Sequence, residues 1–190
     1  MSEDFKDQYK ELRDLFTEED GNDDFYKLML EKFGITDEDF DNNSYSKIDL
    51  EYTIESDKEL GYAYETDSGF DLYASEEVHL LPFGRALVPT GVRVNIPPFY
   101  EIQVRSKSGL AINRGLMVLN SPGTVDQGYT GEIKVIIFNA SNLAQTIEKG
   151  TKIAQAVLSV CIPGKSVNLI KTNKINQKDR NENGFGSTGV

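Results

Sequence analysis

The chain has 190 residues, of which 38% are hydrophobic and 27% charged, and its formal net charge is −11. Such a composition suits one packed domain with an appendage. No apolar run approaches the ~20 residues that span a bilayer. The amino terminus, MSEDFKDQYK, lacks the apolar stretch of a secretory signal, so no membrane contact and an intracellular, cytoplasmic location are expected.

The charge is uneven. Residues 1–46 hold 15 acidic and 5 basic side chains, which leaves 16 and 15 for residues 47–190. The acidity therefore belongs to an amino-terminal arm. No basic stripe of the kind that binds duplex nucleic acid is present.

Within the arm, Phe5, Tyr9, Leu12 and Phe16 recur at helical spacing and make one apolar stripe. Asp23 or Asp24 caps a second predicted helix, with Phe25, Leu28, Met29 and Phe33 on one side and Gly34 at its end. The arm reads either as a helical segment packed on its own domain or as a docking surface for a protein partner. DNNSYS, residues 41–46, reads as a linker.

After Lys47 the apolar period falls to two. Ile48, Leu50, Tyr52 and Ile54 alternate with polar residues, as do Val92, Val94 and Ile96, and then Ile133, Val135 and Ile137. Short strands broken by turn clusters such as LPFG, IPP, NSPG and IPGK predict an all-β sandwich, barrel or jelly roll. One short helix is expected around Gly109 to Arg114. His79, between Val78 and Leu80, is expected to point outward. The single cysteine, Cys161, lies in the apolar run AVLSVCI and reads as a buried, inert thiol. No His/Cys cluster for zinc exists. The division is thus an arm over 1–46, a β core over 47–179 and a flexible glycine-rich tail over 180–190.

Five segments stand out in the core and tail. SGFDLYA (68–74) places Asp71 at a strand start after a glycine; a turn aspartate is the plainer reading. In RSKSGLA (105–111), Ser108 can cap a short helix whose open N–H groups attract phosphate oxygens, and Arg105 and Lys107 add positive charge. NSPGTVDQGYTGEI (120–133) reads as a hairpin that presents Asn120, Asp126 and Tyr129, or simply as a structural turn. GTKIAQ (150–155) leads from a turn into a strand carrying Gln155. RNENGFGSTGV (180–190) combines phosphate donors, Arg180, Ser187 and Thr188, with the aromatic Phe185. It is not a Walker loop, because no lysine follows its glycines.

In this order and at these separations, from about Lys47 to Val190, the five segments resemble the five sequence motifs of the trimeric dUTPase family. The resemblance implies a jelly-roll fold and hydrolysis of dUTP to dUMP and pyrophosphate by water attack at the α-phosphate. That activity keeps uracil out of DNA and supplies dUMP for dTMP synthesis. It also implies a homotrimer whose active sites are shared between subunits. By the match, Asp126 would activate the water. Arg105, Lys107, Ser108 and Gly109 would serve the phosphates. Asn120, with Gly123 and Val125 of the same segment, would read uracil. Tyr129 would lie against the deoxyribose and exclude a 2′-hydroxyl, with Lys134 also at the substrate. Asp71 and Gln155 would fix waters around Mg²⁺, and Gln155 would also serve the substrate. From another subunit's tail Phe185 would cover the base, while Arg180, Gly186, Ser187 and Thr188 would grip the terminal phosphate.

The residue types suit that chemistry: a carboxylate orients and deprotonates water, and cations offset a polyanionic substrate. The chain departs from the family where Ser106 and Lys107 stand in place of Pro-Arg, and in having the acidic arm. Lysine keeps the charge but loses the bidentate fork. Two other readings remain. A dCTP deaminase would share the fold, but it needs a glutamate in the strand IKVIIFN where Ile136 stands. A regulatory or interaction protein on the same trimer would keep the scaffold for a partner.

Overall fold

A computed structural model describes residues 47–55 and 58–178. The arm over 1–46 and the tail positions Arg180, Phe185, Gly186, Ser187 and Thr188 lie outside the described residues.

Among the described residues eleven strands follow in chain order: β1 (Glu51–Ile54), β2 (Phe70–Tyr73), β3 (Val78–Leu80), β4 (Arg85–Pro89), β5 (Val92–Asn95), β6 (Tyr100–Arg105), β7 (Leu116–Val118), β8 (Gly123–Val125), β9 (Lys134–Asn139), β10 (Gln145–Ile147) and β11 (Lys152–Val160). The one α-helix among the described residues, α1 (Ser108–Arg114), sits between β6 and β7. Strands β2–β11–β6–β8 make a four-stranded sheet and β4–β9–β7 a three-stranded one, while β1–β5 and β3–β10 pair alone. Every pairing is antiparallel.

The alternation read from sequence holds in most strands. Val92, Val94, Ile96, Ile133, Val135 and Ile137 are all buried. Every strand from β2 to β11 sends at least one side chain into a single hydrophobic cluster. The all-β architecture is therefore what the period-two pattern implied.

The first strand behaves differently. Ile48 and Tyr52 stay 44% and 39% exposed, and Leu50 and Ile54 are half-buried. Among the described strands β1 has only β5 beside it, and its apolar side faces an open groove of about 250 Å³ shared with Leu60, Tyr62, Phe70 and Leu158. Cys161 is also half-buried rather than buried. Burial and the charges of Glu101 and Asp126 push its thiol up, so it stays protonated and unreactive at neutral pH. His79 faces outward, its Nδ1 3.0 Å from the Thr146 hydroxyl.

Two buried polar groups fix the turns around the core. Asn139 donates from Nδ2 to the carbonyls of Leu81 and Leu143, and its Oδ1 accepts from the Ser141 N–H and hydroxyl. Thr90 donates to the Ile133 carbonyl at 2.6 Å. A single buried change in β9 tests how strongly the closed cluster carries the fold. Ile137 is fully buried and lies between Ala86 and Val118 in register. Ile137→Ala is expected to lower unfolding free energy by roughly 2–5 kcal/mol in urea denaturation. A loss below about 0.5 kcal/mol, the range of ordinary surface changes, would contradict the packing described here.

Candidate active site

The site begins as a row across three strands. Asp71 on β2 pairs with Gln155 on β11, and Gln155 pairs with Arg105 on β6. Directly opposed side chains share a sheet face, so these three line one side of the four-stranded sheet. Asp71 is only 9% exposed. Its Oδ1 receives the ammonium of Lys107, and its Oδ2 that of Lys152 at 2.6 Å. Burial alone would push this carboxyl up. The two lysine hydrogen bonds, reinforced by their charge, more than reverse that and hold it below the usual aspartate value. Lys152 is pushed up in return, mainly by its hydrogen bond to Asp71.

The chain then crosses from β6 into α1. The Ser106 hydroxyl accepts the Val118 N–H at 2.9 Å, and the Ser106 carbonyl accepts from Gln155 Nε2 at 3.2 Å. A proline here would lack the first of these contacts, so the serine has a local role of its own. Ser108 does not cap the helix. Lys107 occupies the capping position in extended backbone, no side chain caps, and Ser108 is the first helical residue. Lys107 can reach Asp71 because this residue is still outside the helix. The first-turn N–H groups of Ser108 and Gly109, both exposed, have no intrahelical acceptor. Gly115, at φ 65°, ends the helix and donates to the Ala111 carbonyl, a conformation that favours glycine. Arg105 shares the row but turns back along its own strand, donating to Gln103 Oε1 at 2.7 Å.

A second group of residues lies further along the sheet. The stretch 120–133 is not a simple hairpin, because β8 interrupts it. β8 pairs with β6 in the four-stranded sheet, while β9, which follows, pairs with β7 in the other. The segment therefore passes from one sheet to the other. Gly123 is buried against Asn120: a Cβ there would come within 3.1 Å of Asn120 Nδ2. Val125, Asp126, Tyr129, Glu132 and Lys134 line an open cleft of about 310 Å³ with Leu87, Thr124 and Ile133. Asp126 faces solvent, and the Tyr129 hydroxyl donates to the Glu132 carbonyl at 2.9 Å. The Glu132 carboxylate accepts the Gly91 N–H at 2.8 Å and sits 3.5 Å from Lys134 Nζ. Gly91 has φ 70°, so the turn presenting that N–H favours glycine.

One chain keeps the two groups apart. Val125 pairs with Ile102, three residues before Arg105, and Asp126 lies beyond it. At about 3.3 Å per residue, Asp126 sits more than roughly 10 Å along the strands from the lysine cluster. Asp71, Lys107, Gln155 and Arg105 are together; Asp126, Tyr129, Val125 and Lys134 are together elsewhere. Lys152 and Glu132 were not singled out by sequence reasoning. For Lys152 the only signal was a lysine in the same short segment as Gln155.

Among the described residues no group of three or more His, Cys, Asp or Glu could cage a metal. Nor is any helix among them long and apolar enough to cross a membrane. Cations around an ionised carboxylate at a helix start, and a cleft with a solvent-facing carboxylate and a phenol, suit a protein that handles a polyanionic ligand.

The comparisons with known proteins identify which one. The dUTPase family model matches residues 58–189. A deoxyuridine 5′-triphosphate nucleotidohydrolase of Clostridium kluyveri is 46% identical over 129 residues, 68% of this chain and 88% of the relative. One from Hydrogenobaculum sp. is 45% identical over 130 residues, again 68% and 88%. Among solved structures, a dUTPase of Staphylococcus bacteriophage 80alpha with dUPNHPP superposes with TM-score 0.68 at 26% identity, covering 76% of this chain and 100% of that one. The chain belongs to the dUTPase family and is a dUTP diphosphatase. The deaminase alternative is not favoured: the relatives are nucleotidohydrolases, and the position where a deaminase needs glutamate is the half-buried Ile136.

The electrostatics of Asp71 give a signed pH test. Its carboxyl is lowered in the folded chain, so its stabilisation is complete above the unfolded value of 3.8 and is lost as pH falls below that. Asp71→Asn is expected to melt lower than the parent at pH 7, with the gap closing as the pH is taken below 3.8. Equal melting temperatures at pH 7 would show that the pair contributes no stability.

Proposed function

We propose that dUTP is hydrolysed at a site shared between three copies of this chain, with water attacking the α-phosphate and Asp126 taking its proton. The observation that supports this reading is the distance between the two groups of site residues. Asp126, which would hold the water at the α-phosphate, and the lysine cluster, which would hold the phosphates, stand more than roughly 10 Å apart along the strands of one chain. Facing copies would unite them. Large exposed apolar side chains also favour assembly: Leu87, Val160, Ile162, Leu169 and Ile170 are 58–91% exposed on the single chain.

In this reading Asn120 pairs with the uracil edge, helped by Gly123 and Val125 of the same stretch. Tyr129 packs against the deoxyribose, and its ring leaves no space for a 2′-hydroxyl. Lys134 keeps Glu132 neutralised at the cleft wall and stands beside the substrate. Lys107 and the N–H groups of Ser108 and Gly109 receive phosphate oxygens. Asp126 holds the water. As the new P–O bond forms, the proton passes to the carboxylate and the bond to the bridging oxygen breaks, releasing pyrophosphate and leaving dUMP. Phe185, with Arg180, Gly186, Ser187 and Thr188, closes the site from another copy. The tail thereby excludes bulk water.

A divalent metal belongs to this family's chemistry, and we assign it as Mg²⁺. The donor set fits a metal carried by the nucleotide rather than one caged by protein. Asp71 is ionised and each of its oxygens has further lone-pair capacity, and Gln155 lies opposite it. These two would hold the ion's waters. When bound, the ion offsets triphosphate charge. The acidic arm takes no part in this chemistry and is left for packing or for a protein partner.

Two measurements test the proposal. Purified protein is expected to cleave dUTP far faster than UTP, dCTP or dTTP in a pyrophosphate-release assay; comparable rates for dUTP and UTP would remove Tyr129 from its role. Asp126→Asn is expected to cut kcat by ~10² or more while binding a non-hydrolysable dUTP analogue normally. Near-normal turnover in that variant would assign the base to another carboxylate.

A further inference from the structure

Lys152 lies on the wrong side of its strand for a regular sheet. Counting back from Gln155, an unbroken β11 would point Lys152 to the opposite face. The register shows why it does not. Lys152 opposes Tyr73 and Ala154 opposes Leu72, so Ile153 is an extra residue between them. This is a β-bulge, a device that re-aims a side chain. It turns Lys152 onto the face of Tyr73 and Asp71, while Ile153 and Ala154 both stay buried. The ammonium comes within 2.6 Å of Asp71 Oδ2 and 5.9 Å of the Tyr73 ring centroid.

Two lysines on one carboxylate exceed what neutralisation requires. Asp71 carries one negative charge, and Lys107 alone would balance it. The second lysine makes the cluster net positive. Lys152 also keeps about half of its side chain exposed, at 49%. We propose that Lys152 is a substrate-binding residue for the triphosphate: Asp71 holds its ammonium in place in the free protein, and the phosphate oxygens take it over when nucleotide arrives. The bulge at Ile153 is what makes the residue available. A lysine pre-positioned by a fixed carboxylate loses less rotamer freedom on binding than one drawn from solvent.

This inference rests on the dUTPase reading, and its test separates the two. Calorimetric titration of the full chain in chelator, without divalent metal, would compare an α,β-imido analogue of dUTP with dUMP. Lys152→Gln is expected to weaken the triphosphate analogue about tenfold, the scale of one charge-assisted hydrogen bond. Its dUMP affinity is expected to stay within about twofold, and Lys152→Arg to restore analogue binding. Unchanged analogue affinity in Lys152→Gln, or an equal loss for analogue and dUMP, would overturn the proposal alone, the latter by showing a merely structural role. Failure of the wild-type chain to bind either nucleotide would overturn the dUTPase reading along with it.

Discussion

The site depends on a buried carboxylate held between two ammonium groups. Asp71 has little access to water, so it must be paired or neutral. Pairing it fixes three things at once. It ties the start of α1 to β2 through Lys107, ties the start of β11 to the same strand through Lys152, and keeps one negative charge beside the two ammonium groups. A break in any of these would leave an uncompensated charge in a nearly closed space. The row Asp71–Gln155–Arg105 can form only if β2, β11 and β6 are in register, so the ion pairs and the sheet specify each other.

The second constraint is topological. β8 joins the four-stranded sheet, and the strands before and after it, β7 and β9, belong to the three-stranded one. A segment that changes sheets in so few residues needs tight turns and small side chains. Gly123, packed on Asn120, is the clearest case. This crossing opens the cleft at Asp126 and Tyr129. It also sets that cleft apart from the lysines along the sheet.

Much of this could be read from the residues. Periodicity located β5 and β9 because each buries alternate side chains in one cluster. β8 escaped because GTV is three residues long inside a turn-rich stretch, too short for a period to register. Ser108 looked like a cap because serine is a favoured capping residue, but Lys107 holds the capping position and Ser108 is the first helical residue. Lys152 was invisible for a different reason. Its facing is set by a bulge, and a register shift leaves no trace in a pattern of apolar and polar letters. The alternation of Ile48 to Ile54 was real, yet β1 sits at the margin of the cluster, so half of that face stays open.

The separation of Asp126 from Asp71 along the sheet has a consequence for inheritance. If each site draws these residues from different chains, the unit of function is a pairing of surfaces rather than a polypeptide. Consider two defective alleles, one altered at Asp126 and one at Asp71, expressed in one cell. Each chain supplies the half the other lacks, so mixed assemblies contain some intact sites although neither gene encodes a working protein. Both lesions on one chain give the opposite result, because every site touching that chain loses a half. Two recessive-looking changes would thus complement in trans and poison in cis.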